Sequence, residues 1–130
     1  VPGAYLDSSA IVKLVIDEPE STALRRHLRR RGPLISSALA RTEVLRALLH
    51  EGDAGSARGR DVLGRIDLIR VNDRVLSEAG TLLPAELRSL DAIHLATALQ
   101  LGDDVRQFVT YDDRMLAAAA RLGIRTCAPA

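Results

Sequence analysis

Short apolar segments alternate with helix-like stretches of ten or so residues, and this alternation predicts an α/β fold. The expected form is a three-layer sandwich: a mainly parallel five-stranded sheet with helices on both faces. Strand–helix–strand units joined by right-handed crossovers lead to the same architecture. A chain of 130 residues, 47% hydrophobic and 27% charged, can bury one core, so a single domain over 1–130 is expected.

Ala4-Tyr5-Leu6 reads as the first strand, ending at Asp7. A helix over 8–16 follows, with Asp7 or Ser8 as its cap. Pro19 suits the first turn of a second helix that runs to about Arg31 and stops at Gly32-Pro33. Strand two is 34–36, and helix three runs from Ala38 to about His50, closed by Gly52. The stretch from Ala54 to Ile66 is a weaker helix, because Gly55, Gly59 and Gly64 lower its propensity. Strand three is 68–71, followed by a helix over 73–83 stopped by Pro84. Ser89 is positioned to cap a helix over 90–101 that Gly102 ends. Strand four is 107–111, the last helix spans 112–122 before Gly123, and 124–127 is a short final strand.

Composition excludes several functions. No apolar stretch is long enough to span a membrane, and Val1-Pro2-Gly3 opens no signal-like layout, so neither is expected. Cys127 is the single cysteine, which removes a disulfide framework. His27, His50 and His94 are too scattered to complete a structural zinc site with it, and a reducing, cytoplasmic setting is expected. Eighteen basic residues, all arginine except Lys13, face seventeen acids, for a net charge of +1. That balance argues against a generic basic nucleic-acid binder. Tyr5, Phe108 and Tyr111 are too few rings for a module that stacks single-stranded bases.

In a parallel α/β sheet the ligand sits beyond the C-terminal strand ends, where strand order reverses. Asp7 follows strand one there and Asp112 follows strand four. Each also precedes a helix, and capping explains either one alone as readily as chemistry does. Asp91 is more informative, because its helix is apolar almost all round and a carboxylate there needs a partner. Arg88, one turn away, is the bland candidate for that partner. Glu43 falls on the polar arc of its helix beside Arg46 and His50, at the boundary with Ala40 and Ala47, and its wheel position leaves surface and cleft both open. His94 reads as a hydrogen-bonded buried histidine rather than a ligand. The run Arg25-Arg26-His27-Leu28-Arg29-Arg30-Arg31 reads first as a solvated face and second as a phosphate-contacting one. Carboxylates gathered without compensation repel, and oxygen-only donors select Mg²⁺ or Mn²⁺ as the cation that relieves them.

Four blocks in order, Leu6-Asp7-Ser8-Ser9-Ala10, Thr42-Glu43-Val44, Leu90-Asp91-Ala92-Ile93-His94-Leu95-Ala96 and Val109-Thr110-Tyr111-Asp112-Asp113, closely resemble the motifs of PIN-domain ribonucleases. The spacing and the closing Gly123-Ile124 are similar to the VapC toxins of bacterial toxin–antitoxin pairs. Each block alone is weak, but the four in order on an α/β chain of this length are specific. The resemblance implies that Asp7, Glu43, Asp91 and Asp112 form an acidic quartet binding Mg²⁺ or Mn²⁺, supported by Ser8 and Thr110, with Asp113 an adjacent candidate. It implies an endoribonuclease that cuts structured RNA (transfer or ribosomal) and arrests translation; hydrolysis by a metal-bound hydroxide should leave a 3′-hydroxyl and a 5′-phosphate. It also implies a homodimer and a cognate VapB-type antitoxin. Arg88, Arg25 and Arg29 are the candidate RNA contacts.

Two rival enzymes lack their residues. A phospho-acceptor receiver domain needs adjacent acids after strand one and a late lysine, and the only lysine is Lys13. An Asp-x-Asp phosphatase needs an acid where Ser9 stands. The remaining alternative is a non-catalytic RNA- or protein-binding domain on the same fold, which has no reason to hold four convergent acids.

Overall fold

The computed structural model describes residues 1–130. Its sheet contains β1 (Gly3–Leu6), β2 (Leu34–Ser37), β3 (Asp67–Ile69), β4 (Val105–Val109) and β5 (Thr126–Cys127). All neighbours are parallel, in the order β3-β2-β1-β4-β5. The helices are α1 (Ser8–Val15), α2 (Ser21–Leu28), α3 (Leu39–Ala47), α4 (Gly52–Leu63), α5 (Asp73–Ala79), α6 (Ser89–Leu101) and α7 (Asp113–Arg121). The expected three-layer, five-stranded parallel architecture is the one observed.

Strand alternation divides the core in two. Ala4 and Leu6 face one layer, packing with Ile11 of α1, Leu24 of α2, and Val44 and Leu48 around α3. Tyr5 faces the other, with Phe108, Leu95 of α6 and Met115 of α7. The chain winds outward from β1 through β2 to β3, then returns across the sheet to β4 on the other side of β1. The reversal therefore falls between β1 and β4, and their C-terminal ends frame the crevice.

Several boundaries differ from expectation, each for a local reason. α2 starts at Ser21 rather than at Pro19 because the buried Ser21 hydroxyl donates to the Ile16 carbonyl and accepts the Glu18 amide, holding Pro19 and Glu20 in a turn, and it ends at Leu28 rather than near Arg31. α4 tolerates its glycines because they are contact points: a Cβ at Gly59 would stand 2.3 Å from a Leu48 methyl. α5 ends four residues early, at Gly80. β4 begins at Val105 rather than 107, which leaves Thr110 and Tyr111 as the short loop into Asp112. Ser89 is the first residue of α6 rather than its cap. Arg88 occupies the cap position with no side-chain capping bond, so its guanidinium is available to other groups.

Candidate active site

Four carboxylates from four separate elements line one cavity of about 150 Å³ beyond the β1/β4 crevice: Asp7, Glu43, Asp91 and Asp112. Ser8, Ser9, Arg88 and His94 complete its wall.

Asp7 follows β1 and caps α1, its Oδ1 accepting the Ala10 amide at 3.1 Å. The Ser9 hydroxyl donates to the same oxygen at 2.6 Å, and the Thr110 hydroxyl donates to Oδ2 at 2.5 Å. Thr110 Oγ1 in turn accepts the Asp112 amide at 3.1 Å, so one threonine ties the ends of β1 and β4 together. Ser9 does the same from the other side by accepting the Tyr111 amide. Burial raises the pKa of Asp7 above its ordinary value, and these three hydrogen bonds only partly offset it. A buried carboxylate left in that condition favours a cationic neighbour.

Asp112 caps α7 with Oδ1, which accepts the amides of Arg114 and Met115, and leaves Oδ2 facing Arg88. The two readings of Asp112, cap and site residue, therefore hold together, one on each oxygen. Arg88 donates from Nε to Asp91 at 3.0 Å and from Nη2 to Asp112 at 3.1 Å. These acids raise the Arg88 pKa further, chiefly through the Asp91 hydrogen bond. The arginine side chain is 65% exposed, so it can swing out without unpacking the core.

Glu43 is held from the interior. Its Oε1 accepts from the Ser8 hydroxyl at 2.5 Å and from His94 Nε2 at 2.6 Å. His94 is 1% exposed, and its Nδ1 meets the Tyr5 hydroxyl at 2.8 Å. A carboxylate has no proton to give, so Nε2 carries the proton that is donated to Glu43. Burial acts to raise the Glu43 pKa, but the His94 bond, the Ser8 hydroxyl and the Arg88 charge bring it below its ordinary value. The histidine is thus a satisfied, buried positioning group. Replacing it with leucine should remove about 2 kcal/mol of stability by stripping a partner from a buried hydroxyl and from a carboxylate. Urea unfolding of His94→Leu, with and without Tyr5→Phe, checks this: the second change should restore part of the loss.

The remaining sequence candidates fall elsewhere. Asp113 is exposed in the first turn of α7 and takes no part in the cavity wall. Arg25 pairs with Asp17, and Arg29 lies just ahead of Pro33, whose carbonyl accepts the Ala4 amide where β1 and β2 begin. Neither lines this cavity. A charge run reports composition, not which end of a sheet it decorates. Ser9 was passed over because its role depends on Tyr111, 102 residues away.

All four acids offer hard oxygen donors, a set suited to Mg²⁺ or Mn²⁺ by chemistry. No three histidine, cysteine or acidic side chains are drawn together tightly enough to cage an ion. Arg88 instead supplies the positive charge between Asp91 and Asp112. The donor set fits a divalent cation once that guanidinium withdraws.

Residues 4–122 match the family model of the PIN domain. The chain is 62% identical to Ribonuclease VapC46 of Mycobacterium tuberculosis (strain ATCC 25618 / H37Rv) over 125 residues, covering 96% of each chain. It is 40% identical to Ribonuclease VapC47 of Mycobacterium tuberculosis (strain CDC 1551 / Oshkosh), again over 96% of each. In fold it resembles Mycobacterium tuberculosis VapC20, described as a sarcin-ricin loop cleaving toxin, with a TM-score of 0.73 at 17% identity over 89% of this chain and 95% of that one. A toxin–antitoxin complex from Klebsiella pneumoniae aligns with a TM-score of 0.72 at 20% identity, over 88% and 91% of the two chains.

Proposed function

The chain belongs to the PIN-domain family as a VapC-type toxin, and from that membership we propose that it is a metal-dependent endoribonuclease. Its substrate class is structured RNA, transfer or ribosomal, whose cleavage arrests translation. The observation that carries this reading is the convergence of Asp7, Glu43, Asp91 and Asp112 on one polar cavity at the strand-order reversal.

Asp7, Asp91 and Asp112 are the residues that would hold Mg²⁺ or Mn²⁺, with Glu43 beside them. A bound divalent ion supplies charge neutralisation at the phosphodiester and acidifies water. The chain's own contribution is orientation. Ser9 and Thr110 fix both Asp7 oxygens, the α7 cap fixes Asp112, and Ser8 with His94 fix Glu43 as an acceptor for a proton of the attacking water. Arg88, released from Asp91 and Asp112, remains within the cavity wall as a cation for the phosphate oxygens.

Neutralisation by a cognate VapB-type antitoxin accompanies the reading, supported by VapC membership and by the fold neighbour from a toxin–antitoxin complex. A homodimer is supported by the exposed leucines Leu76, Leu83 and Leu90, all within one segment ahead of and into α6. No helix is long and apolar enough to cross a membrane. A cytoplasmic setting accompanies the ribonuclease reading, since transfer and ribosomal RNA are found there.

Total RNA incubated with the purified protein tests the reading. Discrete cuts are expected with Mg²⁺ or Mn²⁺ and none with EDTA, and the fragments should carry 5′-phosphates and 3′-hydroxyls. Cyclic 2′,3′-phosphate ends would contradict the mechanism. Intact RNA under both metals would favour a binding-only domain whose acids serve as caps and ion pairs.

A further inference from the structure

A second cavity, of about 520 Å³, runs from the acidic site along α7 and shares Arg88 and Asp91 with it as a common lip. Its apolar floor comes from Pro84 and Leu87 ahead of α6 and from Ala118 of α7. Arg114 and Arg121 stand on the α7 side, and neither belongs to any ion pair of the chain. Positions 114, 117, 118 and 121 share one helical face. The trough thus has a cation at each end, about 10 Å apart along the axis, and only alanines between them.

We infer that this groove is the track that carries the RNA strand flanking the scissile phosphate, with Arg114 and Arg121 on backbone phosphates and the Pro84–Leu87–Ala118 floor under a base. The assignment rests on the ribonuclease reading and deepens it. A strand whose reacting phosphate lies at Asp7 and Asp112 has to leave the small cavity across its wall, and the groove opens through that wall at Arg88. Three arginines against the two carboxylates Glu86 and Asp91, with Asp91 already paired to Arg88, give the groove the charge sign a polyanion needs. A nucleic-acid backbone, with a phosphate at every residue, matches cations spaced along an apolar floor.

The chain has a stronger basic hollow, formed by Arg26, His27, Arg29, Arg30 and Arg31. It lies at the opposite ends of the strands, with the length of β1 and β2 between it and the acids. By charge alone that hollow would be preferred. By continuity with the reacting centre the α7 groove is preferred, so the two surfaces make opposite predictions.

The test measures binding of a fluorescein-labelled RNA hairpin with a single-stranded flank to protein silenced by Asp7→Asn, across a salt series. Arg114→Gln with Arg121→Gln keeps good helix formers on an exposed face. That pair should make the slope of log affinity against log salt shallower by about 1.4, from about 0.7 per lost phosphate contact. In the cleaving protein it should raise KM more than it lowers kcat. Arg29→Gln with Arg30→Gln should leave both quantities unchanged. An unchanged slope in the α7 pair overturns the inference, as does an equal or larger loss in the Arg29 and Arg30 pair. A change of molecular mass by light scattering with no change of slope also overturns it, by making the groove a protein contact. Absence of RNA binding by the Asp7→Asn parent at every salt concentration refutes the ribonuclease reading and the groove assignment with it. An altered slope alongside failed metal-dependent cleavage keeps the track and refutes only the chemistry.

Discussion

Replacing Asp7 with asparagine should lower RNA cleavage on the order of 10³-fold and leave the metal-free protein at least as stable as before. The two halves of that result have different causes. The activity loss follows from removing a negative charge from the most deeply buried of the four acids, 4% exposed at the end of β1, while its shape stays in place. A thousandfold loss corresponds to about 4 kcal/mol of transition-state stabilisation, within what one electrostatic contributor at a reacting centre supplies, here through the cation that Asp7 would hold.

The stability half follows from burial. The hydrogen bonds from Ser9, Thr110 and the Ala10 amide do not fully compensate desolvation, so the folded pKa of Asp7 lies above the unfolded value. A raised carboxylate pKa means that the folded state binds the proton more tightly, and stability falls as pH rises through the unfolded and then the folded pKa. Without metal, the wild type therefore carries a penalty at neutral pH that the asparagine variant lacks. Below about pH 3, where the carboxyl is protonated in both states, the difference should vanish. Asparagine also retains the oxygen that accepts the Ala10 amide, so the α1 cap survives.

Calorimetry in EDTA and in Mg²⁺ separates the cases. Mg²⁺ at a hundredfold excess over its Kd should stabilise the wild type by about 2.7 kcal/mol and the variant far less. Cleavage by the variant near the wild-type rate would remove Asp7 from the chemistry. A variant several degrees less stable in EDTA would mean that the buried charge contributes to the fold.

The sequence made the sheet legible because its punctuation is strong: Gly32-Pro33, Gly102 and Gly123 mark real boundaries, and the alternation of strands and helices leaves only parallel crossovers. It misplaced ends where a tertiary bond decides them, as at Ser21, or where strand pairing does, as at β4, whose register against Gly3 begins at Val105. In the site, Asp7 and Asp112 were visible because strand ends are visible, and Asp91 because its helix is apolar nearly all round. Glu43 was not decidable from its helical wheel. Its polar arc is turned into the cavity by α3 packing beside the β1 end, and a wheel cannot distinguish a polar cavity from bulk water. The Tyr5–His94–Glu43 chain joins residues 89 and 51 positions apart, and no local pattern encodes it. That Arg25 and Arg29 do not line the acidic cavity was likewise not legible, because a charge run does not encode which part of the fold it decorates.

Truncating Phe108 to alanine should cost about 3–5 kcal/mol, a large share of the roughly 5–15 kcal/mol that holds a small domain folded. Phe108 is the only phenylalanine, fully buried in β4. Its ring stacks on Tyr5 with centroids 4.9 Å apart and planes 10° from parallel. Part of the surrounding wall cannot move to fill a void: Ala98, Ala118 and Ala119 have no rotamers, which leaves longer side chains such as Ile35, Leu95 and Met115 to shift toward the gap. The cavity should therefore persist, which places the cost at the upper end for such substitutions. Urea unfolding should show it as a lower midpoint at constant slope, and heating as a loss on the order of 10–20 °C. Phe108→Leu, which keeps most of the volume, should cost less than half as much. The effect should also reach the site. Tyr5 is held by this ring on one side and by His94 at its hydroxyl, so a loosened Tyr5 weakens the support beneath Glu43. Cleavage measured well below the melting temperature should then fall more in Phe108→Ala than in Phe108→Leu. Equal activities in the two, or a stability loss under about 1 kcal/mol, would mean that this face of the sheet repacks freely and that Glu43 is held by Ser8 and His94 without help from the core.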